Sequence, residues 1–140
     1  ESGNFHHGIE ARVKLSGSSS FTLGDGTNRC KIGSSNGAIC GGYSINETDY
    51  YEAELADVSE WHTYNMSTYK ALDGSDKVEI ILFQDQNEIL KSHQWPSVEY
   101  DNPPTYIYDK FSTDINCWLP EIGSCTFDYI RARVTDQNVW

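Results

Sequence analysis

From Ile9 to Leu15 apolar and polar residues alternate without a break, with Ile9, Ala11, Val13 and Leu15 on one side and Glu10, Arg12 and Lys14 on the other. A period of two predicts a strand with one buried face. The serines and glycine of residues 16–20 predict a loop. Phe21 to Leu23 predicts a short strand. Gly24-Asp25-Gly26 predicts a turn, because glycine accepts positive φ at little cost. Cys30-Lys31-Ile32 and Ala38-Ile39-Cys40 flank Gly33-Ser34-Ser35-Asn36-Gly37, the pattern of a hairpin with a longer loop.

The pattern changes after residue 50. Tyr51, Ala53 and Leu55 alternate, which predicts a strand from Tyr50 to Leu55. Leu55, Val58, Trp61 and Met66 follow helical spacing loosely, so the chain on to Leu72 is expected to be irregular or briefly helical. Val78 to Phe83 predicts the most buried strand, rich in β-branched residues that pack on a pleated surface. Gln84 to Asn87 predicts a turn into Glu88-Ile89-Leu90. Pro96, Pro103 and Pro104 keep Trp95 to Thr105 out of a central strand, since proline lacks the ladder N–H. Tyr106-Ile107-Tyr108 resumes β character, and alternation places the last strand over Thr126 to Val134. These elements predict an all-β, antiparallel barrel or sandwich in a single domain over residues 1–140.

Four cysteines allow three pairings, and their close spacing favours Cys30–Cys40 and Cys117–Cys125. The absence of a CxxC argues against a zinc ribbon or a thioredoxin-type centre. Two disulfides imply an oxidising compartment. Sequons at Asn46-Glu47-Thr48 and Asn65-Met66-Ser67 mark candidate glycosylation sites. With a chain that opens on Glu1, these features read as a processed, secreted glycoprotein. No apolar run reaches the roughly 20 residues that span a bilayer. A net charge of −11 disfavours phosphate backbones and anionic membrane surfaces as partners.

Two stretches carry a family likeness. The first is Gly8-Ile9-Glu10-Ala11-Arg12-Val13-Lys14-Leu15, a polar turn, then Cys30 and Cys40. The second is Cys117, seven residues, then Cys125-Thr126-Phe127-Asp128-Tyr129-Ile130. The arrangement resembles the fungal secreted β-barrel family of the major Alternaria allergen. That resemblance implies a secreted fungal protein with effector-like or allergenic behaviour and no catalytic residues.

A local element points elsewhere. Trp61-His62-Thr63-Tyr64-Asn65 is similar to the His-x-Tyr-Asn element of small fungal guanyl-specific ribonucleases, and Asp76-Lys77-Val78 leads on to His93. RNA cleavage needs a general base, a general acid and a cation for the phosphate. The resemblance implies His62 and His93 as base and acid, with Lys77 beside the phosphate. Residues 65–77 hold no glutamate, and Lys77 stands where the family carries arginine. Lysine lacks the planar fork of arginine.

His6-His7 with Glu10 is the nearest approach to a metal site. Adjacent strand residues face opposite ways, so no metal or other cofactor is assigned. The loops at Asp25 and Asp73 lack a calcium-binding ladder. Four Trp, nine Tyr and five Phe exceed what a core of this size absorbs easily. Exposed rings on a β-scaffold stack on sugars or anchor partners. Trp95, Tyr100, Tyr106 and Tyr108 are the candidate binding residues, because prolines stiffen their segment. The leading expectation is a secreted, non-catalytic protein that binds a host protein or glycan. A ribonuclease-like protein, active or dead, and a structural cell-wall protein are the alternatives.

Overall fold

The alternation of Ile9 to Leu15 is realised as β1 (His6–Gly17), whose four inward residues are at most 2% exposed. The computed structural model describes residues 6–24, 28–42, 51–70, 78–94, 114–119 and 122–135. The other strands are β2 (Ser20–Gly24), β3 (Asn28–Gly33), β4 (Gly37–Gly42), β5 (Tyr51–Glu54) and β6 (His62–Lys70). After them come β7 (Val78–Gln84), β8 (Asn87–Gln94), β9 (Asp114–Trp118) and β10 (Gly123–Thr135). They form two five-stranded antiparallel sheets. Sheet A runs β10-β1-β6-β7-β8 and sheet B runs β5-β4-β3-β2-β9. Of the two expected architectures, the protein adopts the sandwich.

Ile9, Ala11, Val13, Tyr64, Met66, Ile80 and Leu82 from sheet A face Phe21, Leu23, Ile32 and Ala38 from sheet B in one core. The Phe21 ring meets Tyr64 edge-on at 5.3 Å and Phe127 at 5.8 Å, so one aromatic residue of sheet B is gripped by two of sheet A. Such pairs add about 0.5–1.5 kcal/mol beyond area burial. Burial pushes the Tyr64 hydroxyl up to about 12.

The chain between β5 and β6 closes one end of the sandwich. Leu55 N–H donates to Asn36 O at 2.8 Å and Val58 N–H donates to Asn36 Oδ1 at 2.9 Å. Asn36 holds a left-handed conformation (φ 62°) in the β3–β4 turn, which asparagine tolerates better than most residues. The buried Gln84 amide bonds both the N–H (2.9 Å) and the C=O (3.2 Å) of Ala56.

Three expectations are corrected. The stretch expected to be irregular or briefly helical up to Leu72 contains β6, nine residues long and paired between β1 and β7. Tyr64, Met66 and Thr68 alternate inward, but polar Asn65 and Ser67 are buried on the other face, so the hydrophobic pattern is blurred. A two-sided backbone ladder stabilises the strand where its side chains signal it weakly. Strand β9 was not expected at all. The cysteine pairing is half realised. Cys30 and Cys40 are directly opposed on β3 and β4, fully buried and bonded. Cys117 and Cys125 are free thiols lying against one another. The Tyr106–Tyr108 strand lies outside the described residues.

Candidate functional site

A period of two decides what stands on the outer face of sheet B. Phe21, Leu23, Cys30, Ile32, Ala38 and Cys40 point into the core, so Thr22, Arg29, Lys31 and Ile39 point out. Their register forms one row across five strands: Asn116, Thr22, Lys31, Ile39 and Glu52. On one side of that row, Gly24, Arg29 and Gly41 pair; on the other, Trp118, Ser20, Gly33, Gly37 and Glu54. Glycines therefore flank the row on both sides and leave the middle of the face low.

The glycines at 33 and 37 are not required by packing. A Cβ on Gly33 would meet Ser35 Oγ at 3.9 Å and nothing nearer, and one on Gly37 would meet it at 3.8 Å. Neither has positive φ. What they provide is open space. A groove of about 480 Å³ lies over Thr22, Arg29, Lys31, Asn116 and Trp118. It continues into one of about 490 Å³ toward Glu52 and Glu54, the two sharing Lys31 and Ile39. At the β9 end Trp118 stands 60% exposed. Among the described lining residues that end has Arg29 and Lys31 and no carboxylate, in a chain of net charge −11. The arrangement offers an aromatic face, hydroxyl and amide groups, and two cations.

Sheet A presents a different outer face. Glu10 is held by Arg131 at 2.6 Å and by the Tyr129 hydroxyl at 2.9 Å. Arg12 pairs with Asp128 at 3.3 Å and, with Lys14, packs over the Trp61 ring. These groups engage one another and brace β10 against β1. A groove of about 390 Å³ lies beside them over Asn65 and Phe83.

His62 lies at the start of β6 with both ring nitrogens engaged. Nδ1 bonds the Asp85 carboxylate and Nε2 bonds the Asp57 carbonyl at 2.9 Å. Neither nitrogen is left to accept a substrate proton. His93 on β8 pairs with Glu79, which pairs with Tyr69, so His93 is in the row of Tyr69. Tyr69 is seven residues along β6 from His62 (69 − 62), about 23 Å at ~3.3 Å per residue. The structure thus places the two histidines toward opposite ends of sheet A. Lys77 lies outside the described residues.

Trp95, Tyr100, Tyr106, Tyr108 and Asn46 also lie outside the described residues. Asn65 of the second sequon is 7% exposed, and its Oδ1 accepts from the equally enclosed Ser67 Oγ at 2.6 Å. Among the described residues no cluster of three metal-ligating side chains occurs, and no helix is long and apolar enough to cross a membrane. Trp118 is one of the four tryptophans in the sequence, and no local pattern there marks it as part of a site. The outward alternation of Thr22, Lys31 and Ile39 was a legible signal, whereas the pairing of β9 with β2 was not.

The fold defines a class: an antiparallel β-sandwich with an open groove on one sheet. Among solved structures it is similar to sheep galectin-11 in complex with glycerol, with a TM-score of 0.53 and 8% identity over 92% of this chain and 89% of that one. The likeness is one of fold. No family model and no curated protein matches the chain.

Proposed function

We propose that the protein is a secreted, non-catalytic binding protein that takes a glycan in the groove on the outer face of sheet B. The observation that carries this reading is Trp118, 60% exposed at the rim of a groove whose lining includes the hydroxyls of Ser20 and Thr22, the Asn116 amide, Arg29, Lys31 and the apolar Ile39. An exposed indole in water is unfavourable unless something stacks on it, and the C–H face of a sugar ring supplies that surface. Asn116 and Thr22 stand in one row beside it and match a polyol's donors and acceptors. Arg29 and Lys31 favour a glycan that carries carboxylate or sulfate groups. A sandwich likeness to a galectin solved with glycerol, a small polyol, supports the same class of ligand.

The test is an array of neutral, uronic-acid and sulfated glycans, followed by titration of the best ligand into the wild type and Trp118→Ala. Acidic glycans bound by the wild type and lost in the variant support the reading. An array with no hits, or binding unchanged in the variant, sinks it.

A further inference from the structure

Strand β9 ends sheet B at one edge and β10, the next strand in the chain, ends sheet A at another. Cys117 on β9 opposes Phe21, and Cys125 on β10 opposes Leu15, both core residues. The two cysteines thus face each other across the open side of the sandwich: Cys125 Sγ reaches Ser20 O at 3.4 Å, and Ser20 pairs with Trp118, the residue next to Cys117. Their environments differ. Cys117 is exposed and lines the groove beside Trp118. Cys125 is half-buried and donates to Ser20 O at 3.4 Å.

We propose that Cys117 and Cys125 form a thiol-oxidation site that reacts with a soluble disulfide and closes reversibly into a staple between the sheets. Cys117 is the attacking thiol, because it is the one a solute can reach. With oxidised glutathione, the Cys117 thiolate attacks one glutathione sulfur, forms a mixed disulfide and releases one glutathione thiol. The Cys125 thiolate then attacks Cys117 Sγ and releases the second. Two S–H bonds are lost, one S–S bond forms, and the two electrons leave as two glutathione thiols. Burial, and next the charge of Cys117, push the Cys125 thiol up to about 11, so Cys125 is the poorer first nucleophile and Cys117 the one that attacks. The other disulfide, Cys30–Cys40, is fully buried and lies within sheet B, so it neither reacts on this timescale nor links the sheets.

Closure has a second consequence, which rests on the groove reading above. Trp118 follows Cys117 directly, so locking Cys117 to β10 sets the position of the groove's aromatic rim.

The experiment equilibrates the full chain in glutathione buffers of graded ratio and reads intact mass and mapped linkages. The expected result is a wild type that loses two hydrogens by a Cys117–Cys125 link and carries no glutathione. Cys125→Ser is expected to accumulate one glutathione on Cys117, and Cys117→Ser to stay unmodified at Cys125. Glutathione retained on wild-type Cys117, or both thiols free in excess oxidised glutathione, would overturn the proposal. Tryptophan emission is compared between the two redox forms, in the wild type and in Trp118→Phe. A difference present only in the wild type supports control of the rim. Equal spectra in both redox forms overturn that part, whatever the glycan array shows.

Discussion

Asp85 and His62, 23 residues apart in sequence, form a hydrogen bond that locks the β7–β8 turn onto the start of β6. Asp85 uses its other oxygen to accept from Thr63 N–H at 2.9 Å, and its own N–H donates to Thr63 O at 2.8 Å. His62 reaches on to the Asp57 carbonyl, so one imidazole ties two loops to a strand. Both partners are acceptors only, and both bonds form together when each ring nitrogen carries hydrogen.

Replacing Asp85 with alanine strips the partners from Thr63 N–H and His62 at once. The site is partly solvated, with the Asp85 side chain 47% exposed, so the loss is expected to be modest, about 1–2 kcal/mol. Urea unfolding at pH 7 measures it. Burial raises the Asp85 carboxyl, but the Thr63 N–H and His62 outweigh it and hold the group below the ordinary value of 3.8. A carboxyl lowered in the native state binds fewer protons there than when unfolded. Its contribution is therefore complete above about pH 4 and lost as pH falls through the lowered value. Between pH 5 and pH 2 the wild type should lose more stability than Asp85→Ala; parallel curves would show that the pair contributes nothing.

Gly17 and Gly33 should respond to alanine in opposite directions. Gly17 has φ 65°, and a Cβ there would sit 2.2 Å from Ile122 O, a backbone atom that cannot give way. Gly17→Ala is expected to cost at least about 2 kcal/mol. Gly33 has room and ordinary φ, so Gly33→Ala should be neutral or add up to about 1 kcal/mol by removing unfolded-state freedom. Thermal melts of both variants decide the point.

A bulky residue at Gly33 separates folding from binding. Gly33→Phe fills the groove between Trp118 and Glu54 without touching the core. Its melting temperature should stay near that of the wild type while glycan affinity falls at least tenfold, roughly 1.4 kcal/mol. Full affinity in a folded Gly33→Phe would move the ligand elsewhere.

Truncating Trp118 should leave stability within about 0.5 kcal/mol, as expected for an exposed side chain. Its binding cost should be about 1–3 kcal/mol, the range of an aromatic anchor. Isothermal titration of wild type and Trp118→Ala beside matched melts measures both.

The Cys30–Cys40 bond closes a loop of sequence separation 10 inside the core. Replacing both residues with alanine is expected to lower stability by about 2–4 kcal/mol. Denaturant midpoints of the two proteins give the value.

Strands with one apolar face were legible in the sequence because alternation is a local property. Ile9 to Leu15, Phe21 to Leu23, the Cys30–Cys40 hairpin and Val78 to Phe83 all sit where their side-chain period put them. The all-β class and the Cys30–Cys40 bond followed from the same local reading, since opposed cysteines at the roots of a short hairpin are close in sequence and in space.

What the tertiary structure alone decided depends on distant pairing. β6 is a strand because β1 and β7 supply ladders on both its sides, and its polar residues Asn65 and Ser67 hydrogen-bond to each other on the face away from the core. β9 crosses back to lie beside β2, with Asn116 opposite Thr22, 94 residues earlier, and brings Asn116 and Trp118 into one face with Thr22 and Lys31. His62 and His93 part along sheet A, while Cys117 and Cys125 meet between sheets. A side-chain period states which way a residue points, but only the register of non-neighbouring strands states what it points beside.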